Sequence, residues 1–148
     1  MRYVGDGRPW DREFAARRHR DLLAHWKEHG FGWRAILGRD DGAFLGVAAL
    51  NRCDWAVPGV DQSALEIGWW VDPGAWGRGI ATEAATAIRD EAFTRLGAEG
   101  LVARFQPANA ASGRIMIKIG MSLYGDIVGG VGEPVRVYTL GRADWVSA

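Results

Sequence analysis

Apolar residues recur with two different periods around the middle of the chain. Between residues 80 and 96 they return at every fourth position, which is the spacing of one helix face. They are Ile80, Ala84, Ile88, Ala92 and Leu96. Residues 65–71 form a shorter run rich in Ile, Val and Trp that predicts a β-strand, and the turn sequence at 72–74 ends it. The chain is therefore predicted to be organised around a strand, a glycine-rich turn and a helix.

The same patterns divide the rest of the chain into two further helices and five further strands. Helices are predicted at 11–29 and 108–119, and strands at 33–37, 43–50, 101–106, 122–128 and 135–140. The first helix is expected to turn Ala15, Leu22, Leu23 and Trp26 inward. Residues 1–9 and 51–63 are predicted loops, the second carrying Cys53, Asp54, Trp55 and Pro58. Strands alternating with helices predict an α/β domain with a mixed sheet, in which a right-handed crossover makes the two strands around the 80–96 helix parallel.

Length and charge limit the classes of function. A chain of 148 residues is predicted to form one domain, residues 1–148. Its 18 basic and 18 acidic residues balance, so neither a nucleic acid nor an anionic membrane is an expected partner. No apolar run approaches membrane-spanning length, and no signal peptide is expected. The single cysteine, Cys53, excludes an internal disulfide and suits the cytoplasm, and a packed thiol is its expected role.

The glycine-rich turn before residue 80 is predicted to bind an anion. A helix that opens on glycines leaves several backbone N–H groups unpaired at the positive end of the helix dipole. Phosphate is the usual ligand of such a site. The turn lacks the Gly-Lys-Ser/Thr of a P-loop, and Thr82 stands where a dinucleotide-binding loop would have its third glycine. A mononucleotide-binding domain, with affinity for ATP or NAD, is therefore a less favoured interpretation.

The run Trp76-Gly77-Arg78-Gly79-Ile80-Ala81 resembles the pyrophosphate loop Q/R-x-x-G-x-G/A of the GNAT N-acetyltransferases. Trp76 departs from the Gln or Arg of the first position. With the preceding E-I-G-W-W-V-D-P, the run looks like the RimJ/RimL-like branch. Residues 105–121 resemble a second segment of the family, N-x-x-S/A followed by an apolar helix and K-x-G-F/M. Residues 5–9 and 29–32 also look like this branch, so the resemblance extends over essentially the whole chain.

The resemblance implies a mixed, mostly antiparallel sheet with a central parallel strand pair and helices on both faces. Members of this branch usually begin with a strand and a helix that precede the first residue here. The absence of that strand is expected to expose a sheet edge, which invites pairing with another chain and makes a homodimer possible.

The resemblance further implies direct transfer of an acetyl group from acetyl-CoA to a primary amine within a ternary complex. The backbone of Gly77, Arg78, Gly79, Ile80, Ala81 and Thr82 would hold the pyrophosphate, with Trp76 at its start. The pantetheine arm would lie against Trp69, Trp70 and Val71, and the Val71 N–H would polarise the thioester carbonyl. Asn109, with Ser112 beside it, would bind the arm; alternatively, Asn109 is a simple helix cap. No metal is expected.

Glu66 is the candidate base for the amine, because it lies on the central strand near the implied reaction centre. A solvated or ion-paired strand carboxylate is the alternative. Many family members protonate the departing thiolate with a tyrosine, but Met116 stands at that position. Ser112 is the first replacement and Tyr124 the second, although a CoA thiolate can leave with little help.

Several further residues have alternative roles. His25 and His29 have metal-ligand spacing, but a solvated helix face is the favoured interpretation. Trp10, Trp26, Trp33 and Trp55 are candidates to wall an acceptor pocket, with core packing favoured for Trp26 and Trp33. The acceptor stays open: a protein N-terminus, an amino acid, a polyamine or an amino sugar. A non-catalytic acyl-CoA-binding or assembly module on the same fold is the alternative function.

Overall fold

A computed structural model describes residues 7–53, 55, 57, 59–61, 63–130 and 132–145. In chain order the elements are α1 (Arg12–His29), β1 (Trp33–Leu37), β2 (Phe44–Arg52), β3 (Leu65–Val71), α2 (Ile80–Thr94), β4 (Gly100–Phe105), α3 (Ala110–Lys118), β5 (Ser122–Val128) and β6 (Pro134–Gly141). A 3-10 turn at Pro73–Ala75, which was not predicted, follows β3. Residues 1–6, Asp54 and Pro58, for which loops were predicted, lie outside the described residues.

The six strands form one sheet in the order β1-β2-β3-β4-β6-β5. Among the described strands only β3 and β4 pair in parallel; the other four neighbouring pairs are antiparallel. The predicted fold class is therefore confirmed, including the parallel pair on either side of the long helix.

The first face of the sheet, as we call it, carries α2 and α3. Alternate strand residues such as Leu65, Ile67 and Leu101 pack there against Ile88 and Phe93 of α2. Met116 and Ile119 extend the same core towards α3. This face holds the larger of two buried clusters, so it contributes most of the hydrophobic stabilisation.

The second face is the opposite side of the sheet. Val102 and Val137 are buried there beneath the segment that joins β2 to β3, which contributes Val57. Cys53 packs against this smaller cluster, and its thiol contacts the Trp55 carbonyl at 3.2 Å, which agrees with the predicted packed thiol. The segment therefore covers the second face between β3 and β6.

Helix α1 begins and ends where the sequence predicted. The Asp11 carboxylate accepts a hydrogen bond of 2.7 Å from the Phe14 N–H, and Gly30 closes the helix at φ +72°. However, none of its residues is buried, and Leu23 is 56% exposed. The predicted inward stripe is thus only partly formed, because α1 meets the sheet mainly at the β1 edge.

A histidine and a tryptophan attach α1 to the sheet. The Trp26 indole N–H donates to the Trp33 carbonyl at 2.8 Å. His25 contacts the Phe31 carbonyl through Nδ1 at 2.9 Å and accepts from the Arg52 N–H through Nε2 at 3.2 Å. The expectation of a solvated face was therefore wrong for His25, because both of its ring nitrogens bond the backbone of the β1–β2 unit.

Candidate active site

The two parallel strands separate towards their carboxyl ends. They pair only through Leu65 with Leu101 and Glu66 with Val102. Strand β3 nevertheless stays paired with β2 as far as Val71, so the gap opens on the β4 side alone. In open α/β sheets, ligands bind at the carboxyl ends of strands where neighbouring strands diverge. We call this gap the opening.

Backbone direction shows which amides of β3 face the opening. The Asp72 N–H donates to the Leu45 carbonyl of β2 at 2.8 Å. Because successive N–H groups of a strand point to opposite sides, the Trp70 N–H also points to β2, whereas those of Trp69 and Val71 point to the β4 side. Val71 thus has the orientation that its predicted role requires. The Trp69 N–H, which was not predicted to donate, has the same orientation two residues closer to the paired part of β3 and β4.

The turn after β3 is braced by its own side chains. Asp72 accepts a hydrogen bond from the Gly74 N–H at 2.8 Å. The Trp76 N–H donates to the Pro73 carbonyl at 3.2 Å, and its indole N–H donates to the Val71 carbonyl at 2.8 Å. These bonds fix the start of the glycine loop against the end of β3.

The next six backbone N–H groups, from Gly77 to Thr82, donate to no other described residue. The first backbone bond at this end of α2 runs from the Glu83 N–H to the Gly79 carbonyl, at 3.0 Å. Gly77 and Gly79 have φ +75° and +79°, a conformation that other residues adopt only at a cost. A Cβ on either would meet nothing within 4 Å, so this cradle, as we call residues 77–82, opens to solvent.

The charge beside the cradle comes from Arg78. Its side chain is exposed and forms no ion pair with another described residue. It is therefore available to an anion bound at the amino end of α2.

The second helix that begins near the opening is α3, at the carboxyl end of β4. Asn109 caps it by accepting from the Ser112 N–H at 3.3 Å, and the Asn109 carbonyl accepts from the same N–H at 3.1 Å. The cap alternative for Asn109 is thus the one seen in the geometry. Ser112 follows in the first turn and is half-buried.

Glu66 lies on the second face in a cluster of three side chains. Its carboxylate accepts from the Arg104 guanidinium at 2.8 Å and from the Trp55 indole N–H at 3.3 Å. The guanidinium also lies over the Trp55 ring, 4.7 Å from its centroid. Of the two interpretations of Glu66, the ion-paired strand carboxylate matches this arrangement.

Trp70 and Trp33 form a stacked pair on the same second face. Their ring centroids lie 4.5 Å apart with an interplanar angle of 22°. Because the two strands flank β2, the pair spans the position of Ala49, and the Trp70 ring also lies against Gly68. Trp70 was predicted to bind the cofactor, but its N–H points to β2 and its indole belongs to this pair.

Tyr124 lies at an irregularity of β5, two strands beyond β4. Its hydroxyl is 3.8 Å from the position that a Cβ on Gly59 would take, so the side chain reaches towards the segment that covers the second face. The three catalytic candidates are thus not brought together: Glu66 and Tyr124 lie on the second face, and Ser112 lies in the first turn of α3 on the first.

The sequence analysis missed Arg104, the orientation of the Trp69 N–H towards the opening, and the pairing of Trp33 with Trp70. Arg104 lies 38 residues after its partner Glu66. The signal that could have revealed it is the predicted parallel pairing, since neighbours on adjacent strands share a face. The register of that pairing was not available from the sequence.

Cavities are also present away from the opening. A cavity of about 390 Å³ lies between α1 and the β1–β2 hairpin, lined by Leu22, Trp26, Trp33, Ala35 and Val47 among others. Another, of about 440 Å³, lies near the amino ends of β3 and β4.

Within the described ranges no group of three or more His, Cys, Asp or Glu side chains could hold a metal ion. None of the helices seen in the described part of the chain is long and apolar enough to cross a membrane.

Comparison with known proteins identifies a matching family model. The model described as the acetyltransferase (GNAT) domain matches residues 1–122. Among curated proteins, the uncharacterized N-acetyltransferase YnaD of Bacillus subtilis is 42% identical over 60 residues, which are 40% of this chain and 35% of YnaD. The chain thus spans about a third of the length of this curated relative.

Solved structures show the same fold over most of the chain. An acetyltransferase from Agrobacterium tumefaciens superimposes with a TM-score of 0.75 at 30% identity, covering 93% of this chain and 76% of that one. The RimL ribosomal L7/L12 α-N-protein acetyltransferase, solved in complex with coenzyme A, has a TM-score of 0.74 at 17% identity. The superposition covers 78% of that chain and 95% of this one, and at this identity it supports the fold alone.

Proposed function

The chain belongs to the GNAT acetyltransferase family, and from this premise we propose that it transfers the acetyl group of acetyl-CoA to a primary amine. The transfer is direct, within a ternary complex, and uses no covalent enzyme intermediate. The observation that carries the proposal is the row of unpartnered N–H groups at Gly77–Thr82 beside the opening between β3 and β4.

The cradle binds the pyrophosphate of CoA. Six consecutive donors at the amino end of a 15-residue helix match the charge and the hydrogen-bonding needs of a diphosphate. Arg78 adds a positive charge at the rim. Gly77 and Gly79 let the backbone approach the ligand with no Cβ between them.

The pantetheine arm enters the opening as a strand-like amide chain. The N–H groups of Trp69 and Val71 lie beyond the described pairing of β3 with β4, which ends at Glu66 and Val102. One of them donates to the thioester oxygen, and Val71 is our first candidate. Asn109 and Ser112 border the arm from the first turn of α3.

The chemical step forms one bond and breaks one. The neutral amine nitrogen attacks the thioester carbon, the C–N bond forms, and the C–S bond breaks to release CoA as a thiolate. Glu66 takes the amine proton through an ordered water, since Arg104 and Trp55 leave lone pairs on both of its oxygens. Ser112, or Tyr124 as the second candidate, returns a proton to the thiolate.

We place this reaction in the cytoplasm, with a small-molecule amine or a protein N-terminus as acceptor and with no metal. Neither a nucleic acid nor a membrane is needed as partner. Strand β1, at the edge of the described sheet, is the proposed pairing site if the chain forms a homodimer.

The experiment measures acetyl-CoA binding by calorimetry and thiol release over a panel of amines. The proposal predicts binding of acetyl-CoA in preference to ATP or NAD, and amine-dependent release of free thiol. Binding without release by any amine would instead favour a non-catalytic acyl-CoA-binding module, which the Met116 departure makes the principal alternative. Preference for ATP or NAD would overturn the assignment of the cradle.

A further inference from the structure

The surface beside the opening on the second face is aromatic. Trp33 and Trp70 stack at a centroid distance of 4.5 Å, and Trp70 remains 36% exposed. Small residues beneath the pair let the rings lie against the sheet: Ala49 is fully buried and Gly68 has no side chain. Trp70 directly precedes Val71, whose N–H faces the opening, and the stacked rings lie over β2, one strand away from the opening.

An apolar cavity continues from this pair. The space of about 390 Å³ between α1 and the β1–β2 hairpin is bounded by Trp33, with Leu22, Ala35 and Val47 beyond it. Val47 is the cross-strand neighbour of Trp70 and shares its face, so the cavity adjoins the stacked pair. Its volume falls within the range of small-molecule sites, roughly 300–1,000 Å³.

The charged groups near this surface have partners of their own. Glu66, on the second face beside the opening, pairs with Arg104 at 2.8 Å, and the Asp72 carboxylate after β3 accepts a hydrogen bond from the Gly74 N–H at 2.8 Å. The residues that line the cavity include no carboxylate, and their arginine, Arg34, is bonded to Glu91. A polycation would therefore lose its hydration in the cavity without gaining a carboxylate partner there.

From this arrangement, and resting on the acetyltransferase activity proposed above, we infer that the acceptor is a monoamine on an aromatic or apolar body. Its body lies on the Trp33–Trp70 pair and extends into the adjoining cavity, and its amine reaches the opening. Polyamines and amino sugars, which carry several charges and little apolar surface, are poor acceptors. Trp70 is thus a specificity-determining residue on the acceptor side.

The test compares 2-phenylethylamine with spermidine and an aminoglycoside in the full chain. We expect kcat/KM for 2-phenylethylamine to exceed the other two by about tenfold or more, since aromatic stacking adds to the area that the ring buries. Trp70→Ala should lower that value by about five- to tenfold and leave the KM for acetyl-CoA unchanged, whereas Trp70→Phe should retain most of it. Leu123→Ala, which truncates an exposed side chain on β5 at the far edge of the sheet, is the matched control.

Preference for spermidine or the aminoglycoside would overturn the inference while leaving acetyl transfer intact. An equal loss for all three amines in Trp70→Ala would also overturn it. If no amine is acetylated, calorimetric titration of 2-phenylethylamine into the CoA-loaded protein still decides. Binding that Trp70→Ala weakens would support the acceptor surface although the proposed activity had failed. Absence of binding would refute the acceptor surface as well.

Discussion

The Trp76 indole N–H donates a hydrogen bond of 2.8 Å to the Val71 carbonyl and so ties the first residue of the glycine loop to the last residue of β3. The family's loop pattern has Gln or Arg at this position. In this chain, the tryptophan sets the distance between the cradle and the opening, although more than half of its surface is exposed. We regard Trp76 as a positioning residue.

Replacing Trp76 with phenylalanine removes the N–H and keeps a large ring. We expect the KM for acetyl-CoA to rise about fivefold with little change in kcat, because a neutral hydrogen bond contributes about 1 kcal/mol. Steady-state kinetics at saturating amine measures both constants. Trp10→Phe is the control, since its described ring contact is with Phe14 alone. A change confined to kcat would contradict the positioning role.

Gly79→Ala tests the cradle itself. Alanine at φ +79° costs about 1–2 kcal/mol of stability and places a methyl group beside the proposed pyrophosphate. Gly97→Ala carries similar strain, at φ +66°, but lies beyond the carboxyl end of α2. Both variants should lose similar stability in thermal unfolding, and only Gly79→Ala should weaken CoA binding in calorimetry. Equal CoA affinities in the two variants would count against the cradle.

Glu66→Gln tests the proposed base. If Glu66 accepts the amine proton, kcat/KM should fall by about 100-fold or more. Rates are measured with the amine that the wild-type protein acetylates fastest. Arg104→Met, which breaks the ion pair and retains the carboxylate, is the companion variant. A loss below tenfold would assign Glu66 to the ion pair alone.

Ser112→Ala and Tyr124→Phe compare the two candidate donors to the thiolate. Ser112 lies in the first turn of the helix beside the opening, whereas Tyr124 lies on β5. The serine variant should therefore lose more kcat, by about three- to tenfold, since a CoA thiolate leaves readily even without an acid. Single-turnover thiol release separates this step from product release. A larger loss in Tyr124→Phe would reverse the assignment.

An ion pair between β1 and α2 makes stability depend on pH. The hydrogen bond from Arg34 is the largest cause that lowers the pKa of Glu91 below its ordinary 4.5; burial opposes it, and Arg95 adds a further bond. The carboxylate therefore stabilises the fold above pH 4.5, and this contribution is lost as the pH falls through the lowered pKa. Glu91→Gln should reduce stability at neutral pH and flatten its decline between roughly pH 5 and pH 3.

Urea unfolding at several pH values measures this effect. Glu13→Gln, which removes an exposed carboxylate paired with Arg17 within α1, should leave the decline unchanged. If stability falls with the same slope in Glu91→Gln as in the wild type, other groups cause the pH dependence.

Local patterns in the sequence predicted the elements and the unpaired N–H groups of residues 77–82 well. The bounds of β1, β3 and β5 agree with the prediction, because each strand is set off by turn residues. The predicted 80–96 helix ends earlier, at Thr94, where the Arg95 and Leu96 N–H groups share the Glu91 carbonyl. The helix predicted from residue 108 begins at Ala110, since Asn109 caps it.

Features that depend on register were beyond the sequence. The Glu66–Arg104 pair and the stacking of Trp33 on Trp70 join residues on different strands, 38 and 37 positions apart. The choice between a base and an ion-paired carboxylate for Glu66 depended on whether it lies on the same face as Arg104. A shift of one residue in strand register would have exchanged the faces, and hydrophobic pattern alone does not determine it near a site where polar and aromatic residues replace the core.

The central claim is that the N–H groups of Gly77–Thr82 hold a diphosphate while the arm of CoA lies beside β3. Titration of the ¹⁵N-labelled protein with CoA, followed by amide NMR, tests it most directly. The account predicts that the largest shifts fall on residues 77–82 together with Trp69 and Val71, and that pantetheine alone shifts only the latter two. Shifts that spare residues 77–82 while CoA binds elsewhere would contradict it.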